Sequence, residues 1–283
     1  MTTAASSPLI TVPELRRVLG AGAGPVPVLL DVRYQLGGPS GPEEFARGHV
    51  PGSSYVDLDT ALAGPAGRGG RHPLPEPAAF VAAMRRAGVS NARPVVVYDD
   101  WAGRAAARCW WLLRHHGHRD VRVLDGGWSA WVAAGGEVET GVGVPDESDF
   151  AGEPTHLPVV PAEQVLEVGS AGLLIDARNP DRFRGDVEPV DPVAGHIPGA
   201  VNVPTGQNLR GDGTFRPVEQ LRTVYAEALD AAERGEPVAA YCGSGVTACH
   251  DLLALATIGV QGMLYPGSWS EWVTDPDRPV ARN

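Results

Sequence analysis

The sequence predicts an α/β protein made of two copies of one domain, each a mostly parallel sheet flanked by helices. Two observations carry this. Four landmarks recur in the same order at nearly constant spacing: Asp31 and Asp176 lie 145 residues apart, His49 and His196 147, Asp99 and Cys242 143, Trp128 and Trp269 141. Within each copy, short apolar runs alternate with helical stretches, the pattern of parallel strands joined by crossover helices. The period is far too long for a solenoid. With 283 residues, 43% hydrophobic and 20% charged, the chain can build two ordinary cores and is neither a disulfide-stapled miniprotein nor mostly disordered.

The elements follow in the same order in each copy. An apolar run ending in Asp-x-Arg opens it, VLLDVR (28–33) or LLIDAR (173–178), with the length and composition of a strand. A Gly/Pro-rich excursion with GHVPG (48–52) or GHIPG (195–199) comes next. A second strand, VVVY or VAAY, leads through a short loop into a helix over 103–117 or 247–259. Leu252, Leu255 and Ala256 share one face of the latter. Gly117 and Gly259 are placed to end these helices in a left-handed conformation. A further strand precedes DGGWSAW (125–131) or PGSWSEW (266–272). The stretch around 137–159 is aperiodic and rich in Gly, Pro and acids, as linkers are. The expected organisation is therefore 1–140, a linker over 141–158, and 159–283.

Composition narrows the function. The formal net charge is −11, which argues against nonspecific nucleic-acid or anionic-membrane partners. All 23 basic residues are arginine, so no Schiff-base or P-loop lysine is available. Three cysteines form no disulfide framework, and a reducing compartment, the cytoplasm, fits them. The N-terminal stretch lacks the basic and apolar regions of a leader, and no apolar run is long enough to span a membrane.

The two copies differ where the second apolar run ends. One reads Tyr98-Asp99-Asp100; the other reads Tyr241-Cys242-Gly243-Ser244-Gly245-Val246-Thr247. The latter is a nucleophile on a glycine-containing strand-to-helix loop. Gly243 and Gly245 let the backbone wrap so that successive N–H groups form an anion nest, and the following helix adds its positive end. Both effects favour thiolate over thiol at Cys242. Asp99 cannot act as a sulfur nucleophile, so the first copy is silent at this position. A phosphatase of the Cys-x5-Arg type is excluded because the sixth residue after Cys242 is Ala248.

Asp-x-Arg, GH[VI]PG, the cysteine loop and the Trp-bearing segment together resemble a two-domain rhodanese-type sulfurtransferase over nearly the whole chain. Within that family CGSGVTA resembles the loop of 3-mercaptopyruvate sulfurtransferases; thiosulfate-using members typically carry basic residues just after the cysteine. The resemblance implies tandem rhodanese-like domains, the C-terminal one catalytic. It implies sulfur transfer from a small-molecule donor to Cys242, a persulfide, release of pyruvate, and discharge to a thiol such as thioredoxin or to cyanide, with no metal or other cofactor. Thiosulfate:cyanide transfer and a non-turnover persulfide carrier are the alternatives.

Residue by residue, Cys242 matches the nucleophile and Gly243, Gly245, Val246 and Thr247 match the cradle for persulfide and substrate. Ser244 matches a serine near the substrate carbonyl, and Arg182 matches an arginine that binds the substrate carboxylate. Asp59 and His72 match groups placed with the serine across the interdomain cleft. A second substrate arginine common in that family is missing: residues 186–194 contain three acids and no arginine. Arg184 could replace it only by facing the substrate. Two domains packed on each other would suffice as a monomer.

The remaining candidates have plainer readings. Asp31, Arg33, Asp176, Arg178, His49 and His196 occur in both copies and read as structural. Ser244 has a second reading as a helix cap. Cys109 and Cys249 read as small core residues. His115, His116 and His118 read as a helix-end cluster, and the paired tryptophans as packing anchors.

Overall fold

The computed structural model describes residues 7–20, 25–35, 37–143 and 145–282. Residues 1–6 of the stretch read for a leader and Val144 of the expected linker lie outside the described residues. The chain divides into two compact units, which are taken in turn.

The first unit holds five parallel strands: β1 (Leu9–Ile10), β2 (Val28–Asp31), β3 (Ser53–Tyr55), β4 (Val95–Tyr98) and β5 (Val121–Leu124), in the order β1-β5-β4-β2-β3. β2 and β4 are buried along their whole length. That is why they read as continuous apolar runs rather than alternating ones. Helices α1 (Val12–Gly20), α2 (Gly41–Arg47), α3 (Leu58–Ala61), α4 (Pro77–Arg86), α5 (Arg104–His115) and α6 (Gly127–Ala133) complete the unit. One core cluster joins Ile10, Leu15, Leu29, Val96, Tyr98, Leu124 and Trp131.

The second unit repeats the plan with α7 (Val165–Ala171), β6 (Leu173–Asp176), α8 (Pro180–Arg184), β7 (Val201–Asn202), α9 (Val218–Val224), α10 (Ala226–Glu233), β8 (Val238–Tyr241), α11 (Ala248–Thr257), β9 (Met263–Leu264) and α12 (Ser268–Trp272). The sheet order is β7-β6-β8-β9, all parallel. A single parallel bridge between Val159 and Leu264 takes the place of the β1–β5 pairing. Its core joins Val160, Val165, Leu174, Ala239, Tyr241, Tyr265, Trp269 and Trp272. Gly117 and Gly259 take φ values of +90° and +86° after their helices, as their positions predict.

Both units are braced by the same contacts. Arg33 pairs with Asp31 at 2.8 Å and donates to the Gly48 carbonyl at 2.6 Å; Arg178 pairs with Asp176 at 2.7 Å and donates to Gly195 at 2.7 Å. Each guanidinium also lies over a tryptophan, Trp128 or Trp269. His49 and His196 each bond a carbonyl of the preceding helix through Nδ1 at 2.8 Å and stack on a phenylalanine. These duplicated residues are structural. Cys109, Cys249 and the paired tryptophans Trp131 and Trp272 are buried. His115, His116 and His118 are buried too, packed against Trp111, Phe80 and Phe150.

The units divide differently from the expected boundaries. The excursion Leu62–Glu76 groups with the second unit, and the first extends to His156. Much of the expected linker is a strap on the first unit. Phe150 is buried edge-on to Phe80, its carbonyl accepts from Arg85 Nε at 2.7 Å, and Asn91 and Ala151 exchange two 2.8 Å bonds. One aromatic anchor and a few backbone bonds leave no periodicity to read in a sequence.

Asp99 directly follows β4 as Cys242 directly follows β8. Its buried carboxylate accepts four backbone N–H groups: Trp101 and Gly103 at 2.9 and 2.8 Å on Oδ1, Ala105 and Ala106 at 2.8 and 2.9 Å on Oδ2. Burial pushes this carboxyl's pKa up, against the pull of those donors. Asp99→Ala removes the acceptor for all four. It should destabilise the first unit by about 2–4 kcal/mol, read as an earlier urea transition, whereas Asp100→Ala at the exposed neighbour should change little.

Candidate active site

β8 delivers Cys242 to the C-terminal edge of the second sheet, where parallel α/β sheets place their ligands. The thiol is almost fully buried. Its backbone is fixed by neighbours far along the chain. Cys242 N–H donates to Ser268 Oγ at 3.1 Å, and the Cys242 and Gly243 carbonyls accept from Trp269 and Ser270 N–H at 3.0 and 2.8 Å. The loop then folds back so that Gly245 N–H reaches the Cys242 sulfur at 3.1 Å. Gly245 needs φ +78°, and a Cβ there would collide with the Pro266 carbonyl. Two independent constraints thus demand glycine at this position. Val246 is buried, and Thr247 stands at the N-cap position of α11.

Ser244 makes no side-chain cap on that helix. Its hydroxyl instead meets His72 Nδ1 at 2.7 Å, with both side chains buried. The contact explains why the capping reading fails: the oxygen is turned toward the Leu62–Glu76 excursion. That excursion is anchored beside α12. Gly70, at φ +96°, leaves room only for hydrogen against Gly267 and Ser270, and the next N–H, of Arg71, donates to Ser270 Oγ at 3.0 Å.

Arg182, on α8, is gripped by acids. Its Nε and Nη2 bond both oxygens of Glu188 at 3.1 and 2.6 Å, and Nη2 also reaches Asp191 at 3.2 Å. Glu188 takes two further backbone bonds, from Val190 and Asp191, and a 3.4 Å contact from Arg178. Burial works against its charge, but Arg182 and these N–H groups outweigh it and hold the Glu188 carboxyl below its ordinary value of 4.5. Arg182 Nη1 comes 3.6 Å from where a Cβ on Gly243 would stand. Arg184 points elsewhere, to an exposed pair with Asp186.

Cys242, Ser244, His72 and Arg182 therefore come together within the second unit, along with the loop residues Gly243 to Thr247. Asp59 belongs to the first unit, on α3. Sequence reasoning missed Ser268, Glu188, Asp191 and Arg71. In the sequence the acids at 186–194 read only as a stretch without arginine; their use as guanidinium clamps needs the fold. Arg71 had one signal, its place directly before His72.

The chain matches the rhodanese-like domain model twice, over residues 11–134 and 162–275. It is 47% identical over 285 residues to SseB of Mycobacterium tuberculosis, a protein named for thiosulfate sulfurtransferase activity; the match covers 97% of this chain and 96% of that one. It is 46% identical over 286 residues, 98% of both chains, to a Pseudomonas aeruginosa protein named for 3-mercaptopyruvate sulfurtransferase activity. The crystal structure of SseA from Escherichia coli, titled for the rhodanese fold and mechanism of 3-mercaptopyruvate sulfotransferases, matches with a TM-score of 0.79. It is 31% identical, and the match covers 94% of this chain and all of that one. The chain belongs to the rhodanese family, with two rhodanese-like domains.

Glu188 supplies a test by pH. A carboxyl held below its ordinary value stabilises the fold above that value, and the contribution disappears as pH falls through the folded-state pKa. Glu188→Gln should lower stability at pH 7 by about 2 kcal/mol. The gap to wild type should close below pH 4.5, as urea midpoints across pH would show.

Proposed function

We propose that this protein is a 3-mercaptopyruvate sulfurtransferase working through a persulfide on Cys242. The observation that carries the reading is the Cys242 loop itself. A nucleophile sits on a tight anion-binding turn with the Ser244–His72 pair beside it and no cation among the five residues after the sulfur. Relatives named for this activity at 46% and 35% identity support it.

In the first half-reaction the Cys242 thiolate attacks the donor's sulfur. The S–S bond forms as the carbon–sulfur bond breaks, and the electron pair leaves on the enolate of pyruvate, which takes up a proton at carbon. The thiol proton of the donor is released, leaving a persulfide anion. In the second, an acceptor thiolate or cyanide attacks the outer sulfur and Cys242 leaves as thiolate, restoring the enzyme. Ser244 and His72 move the proton near the substrate carbonyl, and Arg182 holds the carboxylate. Gly243, Gly245, Val246 and Thr247 form the cradle. A role for Asp59 beside the serine rests on the family resemblance alone.

The silent copy supports the cradle. There, four backbone N–H groups hold a two-oxygen acceptor, the Asp99 carboxyl, at the corresponding strand end. A persulfide adds a second acceptor atom to Cys242 and gives it a comparable two-atom group. No helix among the described residues is long and apolar enough to cross a membrane. The three free cysteines suit a reducing, cytoplasmic setting and discharge to a thiol such as thioredoxin.

Thiosulfate is the second reading, favoured by the name of the Mycobacterium tuberculosis relative. Pyruvate release from 3-mercaptopyruvate, run beside thiosulfate:cyanide turnover, separates the two. Mercaptopyruvate should be the faster donor, Cys242→Ser should be inactive with both, and Ser244→Ala should lose about 10²-fold in kcat with KM little changed. Faster thiosulfate turnover would overturn the donor. Stoichiometric sulfur uptake without turnover would replace the enzyme with a carrier.

A further inference from the structure

We propose that Arg71 is the second carboxylate-binding arginine of the site, completing with Arg182 a two-guanidinium fork for the donor's carboxylate; this rests on the reading of the donor given above. The fork is built by two acids. Asp191 takes Arg71 through Nη1 at 2.6 Å and Nη2 at 3.4 Å, and also accepts from Arg182 Nη2 at 3.2 Å. Glu188 grips the opposite side of Arg182. One carboxylate therefore ties together two guanidinium groups that lie 111 residues apart in the chain.

Both groups face the nucleophile's loop. A Cβ on Gly243 would stand 3.3 Å from Arg71 Nη2 and 3.6 and 3.7 Å from the two terminal nitrogens of Arg182. Glycine keeps this space clear, directly beside Cys242. The two side chains remain partly open to solvent, 26% for Arg71 and 18% for Arg182, so a small anion can reach them. Arg182 Nη1 lies outside the bonds to Glu188 and Asp191, and the 3.4 Å Arg71 Nη2 contact is a weak one. These are the donors available for exchange.

The charges favour a particular ligand. Arg71 and Arg182 are matched by Glu188 and Asp191, so the cluster is formally neutral. It recognises by directed N–H groups rather than by excess charge. A planar two-oxygen monoanion such as an α-keto carboxylate suits a guanidinium fork. Arg184 does not supply this second group, since it is turned to the exposed Asp186.

The test uses two alkylating agents that differ in charge, iodoacetate and iodoacetamide, with the Cys242 peptide followed by mass spectrometry in the full chain. Wild type should react preferentially with iodoacetate. In Arg71→Gln the iodoacetate rate should fall about tenfold while the iodoacetamide rate stays within about twofold. Arg71→Lys should recover part of the preference, and Arg184→Gln should leave it intact. Equal changes with both reagents would show a structural role and overturn the proposal, as would an unchanged ratio. The donor reading fails separately. If wild type releases no pyruvate from mercaptopyruvate yet loses its iodoacetate preference on Arg71→Gln, the fork stands and the donor assignment falls. Normal pyruvate release with an unchanged alkylation ratio gives the reverse.

Discussion

A charge buried at the end of β6 organises the second unit. Arg178 is held by Asp176 in the same strand end, donates to the Gly195 carbonyl in the turn that follows, lies over Trp269 on α12, and touches Glu188. Burial opposes its charge, but Asp176, with Tyr241 and Glu188 nearby, overcomes the penalty and keeps the guanidinium firmly protonated. Asp176, Glu188, Gly195 and Trp269 are thereby referred to one point. Two of them matter for chemistry: Glu188 orients Arg182, and α12 fixes the backbone of Cys242 and Gly243. A buried pair of this kind adds little net stability against an apolar replacement, but losing one partner leaves an uncompensated charge. Its value here is geometric.

The loop shows the same economy. Cys242 is held chiefly through its backbone. It is held by its own N–H and carbonyl through Ser268 and Trp269, and by the collision that forbids any residue but glycine at 245. Ser268 itself sits at φ +54° and donates to the Tyr265 carbonyl. The sulfur is therefore placed by backbone geometry, and the Gly245 N–H donates to it at 3.1 Å. On the proposed reading Cys242 alternates between thiolate and a longer, loaded form, which such an arrangement accommodates.

Much of this was legible in the sequence because it is written twice. The Asp-x-Arg pairs, the histidine turns and the tryptophans separate from the proposed catalytic residues by their presence in both copies, and their contacts are duplicated almost bond for bond. Cys242 stood out by its absence from one copy. Other features were not legible. The strap around Phe150 rests on one aromatic and backbone bonds. The excursion Leu62–Glu76 lies early in the chain but packs with the later unit, so boundaries drawn along the sequence misplace it. The clamp is formed by acids that look, in sequence, like the loss of a positive charge; only the fold reveals them as its supports.

The carboxyl of Asp99 saturates its turn with a covalently attached acceptor. On the proposed reading the first copy has no turnover to serve and can settle its turn in this way, whereas Cys242 must stay exchangeable. On that reading the two copies divide two demands that conflict within a single loop, durability and reactivity. The first copy is thus a frozen reference for the second, recording within the same molecule how tightly this turn closes when nothing has to leave it.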